Sequence, residues 1–203
     1  MEPALEVLDY WFGTPESPDH GRRREMWFKE GRSIDAEIRD RFLALHGQAA
    51  AGRLDHWRDE ARACLALILV LDQFPRHIFR DRPEAYASDP RALATAKHAL
   101  EAGYGDGRPV IELGFIYLPF SHAEDISAQR RSVALRRALP EHDGKERSLE
   151  RAIDHHDVIA RFGRFPHRNE ILERDSTQEE TRFLDDNPDA WFTKYRKRTA
   201  ADS

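Results

Sequence analysis

Proline and glycine fall along this chain where helices begin and end, and that punctuation constrains the fold more than any other feature. Pro3 occupies a helix-start position ahead of Leu5, Leu8 and Phe12 on one helical face, and Gly13, Pro15 and Pro18 close the segment. Ser33 is placed to cap a second helix whose Ile34, Ile38, Phe42, Leu45 and Ala49 form a stripe ending at Gly52. A heavily buried helix is expected from about Trp57 to Gln73, with Ala61, Leu65, Ile68 and Asp72 at helical spacing, ended by Pro75. Asp89-Pro90 reads as a cap followed by a first-turn proline, opening a helix through Leu93, Ala96 and Leu100 that stops at Gly103.

A shorter helix is expected over about Pro109 to Leu118, stopped by Pro119, after which Ser121 to Glu124 has capping-box spacing. The next helix reaches about Leu139. Another starts near Lys145, with Leu149, Ile153, His156 and Ala160 on one face, and breaks near Gly163. Ser176-Thr177-Gln178-Glu179-Glu180 holds two overlapping capping boxes before Phe183-Leu184, and Pro188 precedes the pair Trp191-Phe192. Alternating strand patterns between hairpin turns are absent. The expected fold is all-α: one domain over residues 1–203, about eight helices stacked as antiparallel hairpins, with a frayed tail over 194–203.

Composition narrows the function classes. At 40% hydrophobic and 34% charged, the chain suits amphipathic helices and not disorder. Its longest apolar run, Ala63 to Leu71, is about half of what a bilayer requires, so no membrane partner is expected. A single cysteine inside that run, Cys64, and a start without a secretory pattern point to the cytoplasm. A net charge of −5 argues against nucleic-acid binding, and Lys194 to Arg198 reads as a solvated basic tail. There is no Walker loop, GxGxxG, His-Glu-x-x-His, CxxC or Gly-x-Ser-x-Gly, and no cofactor is expected.

Two Phe-Pro breaks, Phe74-Pro75-Arg76-His77 and Phe165-Pro166-His167-Arg168, carry the densest chemistry. The first adds Arg80, the second Arg161, Arg164 and Asn169, a donor set suited to phosphate or carboxylate. Arginines that cap helix C-termini and pair with carboxylates such as Asp72 explain the same residues structurally. Asp72 and His156 each fall within an apolar helical stripe, where an unpartnered polar group costs several kcal/mol, so both must have partners; a second-break arginine is one candidate for Asp72. His122 and Glu124 are candidate acid/base groups, with helix capping as the plainer use. A metal site of His122, His156 and Asp157, with Asp185 or Asp186, superficially matches the His…His-Asp…Asp pattern of helical HD phosphohydrolases, a pattern that arises easily among 10 histidines and 37 acidic residues.

Leu71-Asp72-Gln73-Phe74-Pro75-Arg76, Tyr117-Leu118-Pro119-Phe120-Ser121-His122-Ala123-Glu124-Asp125 and Arg161-Phe162-Gly163-Arg164-Phe165-Pro166-His167-Arg168-Asn169 together resemble the bacterial family called domain of unknown function 924. The likeness runs from Val7 to Glu180 and implies a TPR-like helical fold without implying an activity. It implies a polar set of Asp72, Arg76, His122, Glu124, Arg161, Arg164, His167, Arg168 and Asn169. The chain departs from the family pattern at His77, where asparagine is usual, and at Ser121 and Ala123, where glutamate and serine are. The expected function is a binding module that holds an anionic small molecule or acidic peptide end in an Arg/His-lined pocket. Two alternatives stand beside it: a metal-dependent or His/Glu acid–base hydrolase of a phosphorylated substrate, and a protein partner on the outer helices with the polar set as a structural network.

Overall fold

The computed structural model describes residues 2–18, 20–27, 34–142 and 144–188, and no strand occurs among them. Eight helices of eight residues or more are present among the described residues: α1 (Glu2–Phe12), α2 (Asp35–Ala50), α3 (Ala61–Asp72), α5 (Asp89–Glu101), α6 (Val110–His122), α7 (Ile126–Arg137), α8 (Lys145–Phe162) and α9 (Gln178–Asp185). The five-residue α4 (Phe74–Ile78) follows α3 directly. Single turns of tighter helix at Asp55–Asp59, Pro83–Ala85 and Pro166–Arg168 join the larger elements.

The apolar run becomes α3, in which every residue from Ala63 to Asp72 is buried. A helix apolar on all sides must be covered on all sides, and α1, α2, α4, α5 and α6 all pack on α3. Aromatic rings fill the side toward α1: Phe74 meets Phe42 at 4.6 Å, Trp11 at 5.6 Å and Tyr10 at 6.4 Å between ring centroids. A second, smaller apolar cluster of Val158, Ile159, Phe165 and Leu184 joins α8, the Pro166 turn and α9. Helices α5, α6, α7 and α8 pack each on the next. Gly163 takes φ of 70° just past α8, a conformation easy only for glycine, and sends the chain into the second Phe-Pro break.

Several local expectations change. The segment before α3 is the Asp55–Asp59 turn, and α3 is capped by the Glu60 side chain, which accepts from the amides of Arg62 and Ala63. Pro75 both ends α3 and sits in the first turn of α4, where its missing N–H is no loss. Pro119 does not stop α6, which runs through it to His122. Ser121 to Glu124 is therefore no capping box: Ser121 lies inside α6 against Ser132, and Asp125 caps α7 by accepting from the Ala128 amide. Ser88, not Asp89, precedes α5, and Asp89 makes no cap bond. On α8 the buried face is Ala152, His155, Val158 and Ile159, one residue from the expected stripe, and Ile153 is exposed. Of the two overlapping capping boxes expected, Thr177–Glu180 forms, while Ser176 lies ahead of the cap and accepts from the Asn169 amide. Ser33, Trp191-Phe192 and Lys194 to Arg198 lie outside the described residues.

Replacing Phe74 with alanine removes a fully buried ring from the junction of three helices. Urea unfolding of this variant is expected to show a loss of about 3–5 kcal/mol.

Candidate functional site

The two Phe-Pro breaks meet on one carboxylate. Arg76, one turn beyond Asp72, donates through Nη1 to Asp89 Oδ1 at 2.9 Å and through Nη2 to Oδ2 at 3.1 Å. Arg168, from the Pro166 turn, reaches Oδ2 of the same aspartate at 3.4 Å. Its guanidinium carbon lies 4.7 Å from the centre of the Tyr86 ring and 4.5 Å from that of Phe165, so aromatic rings occupy its surroundings as cation–π partners.

Asp72, wholly buried at the end of α3, is met from three directions. His122 Nδ1 lies 2.7 Å from Oδ1, the Gln73 amide donates to Oδ2, and Arg76 Nη2 stands 3.7 Å from Oδ1. The Arg76 guanidinium also caps the α3 carbonyl of Asp72. The extra turn that α6 makes past Pro119 is what carries His122 here. The His155 ring lies 6.5 Å from that of His122 and 5.6 Å from Phe165, and its Nδ1 donates to the Arg151 carbonyl at 2.6 Å. The His167 ring lies 5.5 Å from that of Phe165, tilted by 42°.

Burial and the facing charges set the protonation states. Burial alone would raise the Asp72 carboxyl, but His122 and Arg76 hold it below its ordinary value. His122 is lowered by burial and by Arg76, against the pull of Asp72. Burial pushes His155 down to about 3, and His167 is driven well down by burial and by Arg168. Arg168 is itself lowered by burial, with Asp89 opposing.

The remaining expected site residues form a separate network. Glu124 accepts from the Phe165 amide at 2.7 Å and from Arg174 at 2.7 and 3.0 Å. Arg174 also donates to Asn169 Oδ1 at 3.0 Å, while Asn169 Nδ2 donates to Ser176 and Glu180. Arg164 grips Glu180 with two bonds of 2.7 and 2.8 Å, and Arg161 pairs with Glu179 at 2.9 Å. Those bonds hold Glu180, first through Arg164, down at about 2. His77 and Arg80 of the first break turn to Asp35 in yet another place.

Asp72, Arg76, His122, His167 and Arg168 thus come together, while Glu124 and Asn169 stand beside them and Arg161 and Arg164 are occupied at α9. Asp72 takes a first-break arginine and a histidine in place of a second-break arginine. His156 is not the stripe histidine: it lies next to exposed Asp157 at 2.9 Å, and His155 takes the inward position. Among the described residues no three His, Cys, Asp or Glu side chains are grouped to hold a metal, so His122, His156 and Asp157 do not converge. Asp89, Tyr86, His155 and Arg174 escaped the sequence reading. Only the adjacent His155-His156 pair carried a signal, since a one-residue shift of the α8 face exchanges them. A cleft of about 480 Å³ bordered by Glu6, Asp9, Tyr10 and Arg41 lies elsewhere, between α1 and α2.

Residues 7–188 match the family described as "Bacterial protein of unknown function (DUF924)". The chain belongs to this family. A solved structure, that of the protein of unknown function ATU0120 from Agrobacterium tumefaciens, is 39% identical and superposes with a TM-score of 0.80 over 91% of this chain and 98% of that one. A search among curated proteins finds no match. No helix among the described residues is long and apolar enough to cross a membrane.

His155 links the site to acid stability. Its folded-state value near 3 lies below the ordinary histidine value of about 6.5, so the unfolded chain binds the extra proton between them. The penalty is absent above pH 6.5 and grows as pH falls toward 3. In His155→Phe the slope of unfolding free energy against pH, measured by urea titration between pH 4 and 6, is expected to fall by up to about 1.4 kcal/mol per pH unit.

Proposed function

We propose that this protein is a cytoplasmic binding module whose Arg76–Arg168 cluster holds the phosphate or carboxylate group of a small molecule or peptide end. One observation carries the reading. Arg168 is only 6% exposed, its Nε has no hydrogen-bond partner among the described residues, and its Asp89 contact is 3.4 Å long to a carboxylate that Arg76 already holds with two shorter bonds. A buried guanidinium with unfilled donors is expensive, and an anion that fills them offsets that cost.

Tyr86, Arg76 and His122 are partly exposed around it, so the cluster is reachable from water. The succession of α5, α6, α7 and α8, each packed on the next, is consistent with a TPR-like stack of helical hairpins, which commonly offers such a site on its inner face. Arg161 and Arg164 lie outside this ligand set, because glutamates of α9 already take their donors.

Inorganic phosphate is expected to raise the melting temperature in a saturable manner, by the equivalent of about 2.7 kcal/mol at a hundredfold excess over Kd. Arg168→Met is expected to abolish the shift, and Arg62→Met, an exposed arginine on α3, to leave it in place. An equal shift in wild type and Arg168→Met contradicts the reading.

A further inference from the structure

We infer that Asp72 and His122 form a proton-transfer dyad through which this site hydrolyses a phosphate diester; the inference rests on the anion-binding reading above. An ionised carboxylate can only accept, so the 2.7 Å contact between Asp72 Oδ1 and His122 Nδ1 puts the imidazole proton on Nδ1. The basic lone pair is then on Nε2. Asp72 is fully buried and fixed by Gln73 and Arg76, whereas His122, at the last position of α6, is partly exposed. A base oriented from behind by a rigid carboxylate and open in front to water is the arrangement proton abstraction requires.

Glu124, the other candidate beside His122, is already bonded to Arg174 and the Phe165 amide and takes no part. The nearest hydroxyl along the chain, Ser121, is buried against Ser132 at 2.7 Å and unavailable, and the nucleophile of this proposal is water. The charge balance selects the substrate class. Arg76 and Arg168 are formally offset by Asp72 and Asp89, so the site accommodates one further negative charge more readily than two. A phosphate diester is a monoanion. Monoesters, with their loose transition states, also gain little from a base, whereas attack on a diester is helped by removing the proton of water.

In the step, the water oxygen forms a bond to phosphorus while its proton passes to His122 Nε2. The electron pair of the breaking P–O bond goes to the leaving oxygen, which recovers that proton from the imidazolium. The products are a phosphate monoester and an alcohol. Arg168 binds a non-bridging oxygen; Arg76, whose donors Asp89 and the Asp72 carbonyl already take, adds its charge from behind; and Asp72 is a positioning residue that sets the tautomer and steadies the imidazolium.

The test uses full-length protein with bis(4-nitrophenyl) phosphate, following 4-nitrophenolate release beside phosphate-induced thermal stabilisation. Wild type is expected to turn over, and His122→Gln to lose about 10²–10⁴-fold in kcat with its circular dichroism unchanged and phosphate stabilisation still present. Asp72→Asn is expected to move the lower limb of the pH–rate profile to lower pH, because the carboxylate that favours imidazolium is gone while Arg76, Arg168, His155 and His167 remain; a merely structural role leaves the limb in place. Asp89 stays as the other facing carboxylate. Phosphate stabilisation without wild-type turnover overturns the hydrolysis and leaves the anion site standing. Equal rates in wild type and His122→Gln overturn it as well. Absence of any phosphate response instead removes the anion reading beneath both.

Discussion

A carboxylate sealed from water has to be answered by donors fixed in place, and Asp72 at the end of α3 sets that requirement for this fold. Its three partners come from different directions: Gln73, from the chain just after α3, and His122, from the end of α6, by hydrogen bonds, and Arg76, from the first turn of α4, as an ion pair at 3.7 Å. None of the three can move without leaving a buried charge exposed to an apolar surrounding, which is far more costly than losing an ordinary surface pair. The geometry of the site is therefore a by-product of satisfying one group. The continuation of α6 past Pro119 is what delivers the histidine that Asp72 needs.

The second constraint is the unequal sharing of Asp89. Arg76 has the shorter bonds and Arg168 the longer one, although Arg168 is the more deeply enclosed of the two, flanked by Tyr86 and Phe165. The arginines nearer α9 show the contrary pattern. Arg164 and Arg174 each hold a glutamate with two short bonds, and the Asn169 amide ties these pairs together. Saturated arginines brace the C-terminal segment, and the unsaturated one faces the polar cluster.

Helix existence was legible in the sequence because its signals are local. Pro3, Gly13, Gly163 and the Thr177–Glu180 box each act within one turn of themselves. Proline inside a helix is a different matter, since whether Pro119 ends α6 depends on what lies beyond it, and the apolar residues before it are buried strongly enough to carry the helix onward. The polar residues of both breaks were legible as a set, from their chemistry and from the family resemblance. Their grouping was not. Asp89 reads as a helix cap by its neighbour Pro90, and nothing near it signals that arginines 13 and 79 residues away converge on it. His155 was missed through a phase error of one residue on α8, which at 100° per residue turns a side chain from water to core.

The Asp89–Arg168 contact closes a loop of 79 residues, whereas Asp72, Arg76 and Asp89 lie within one short stretch of the same chain. Closing so long a loop carries an entropic penalty that local contacts do not. The half of the cluster around α3 can therefore consolidate as soon as α3 to α6 have formed, with Arg76 holding Asp89 in readiness. Arg168 arrives only when α8 and the turn after it dock. The cluster is complete only once the chain has been made through the Pro166 turn and α8 has docked, which couples whatever it binds to that late long-range step and leaves a chain cut before Phe165 with half of it.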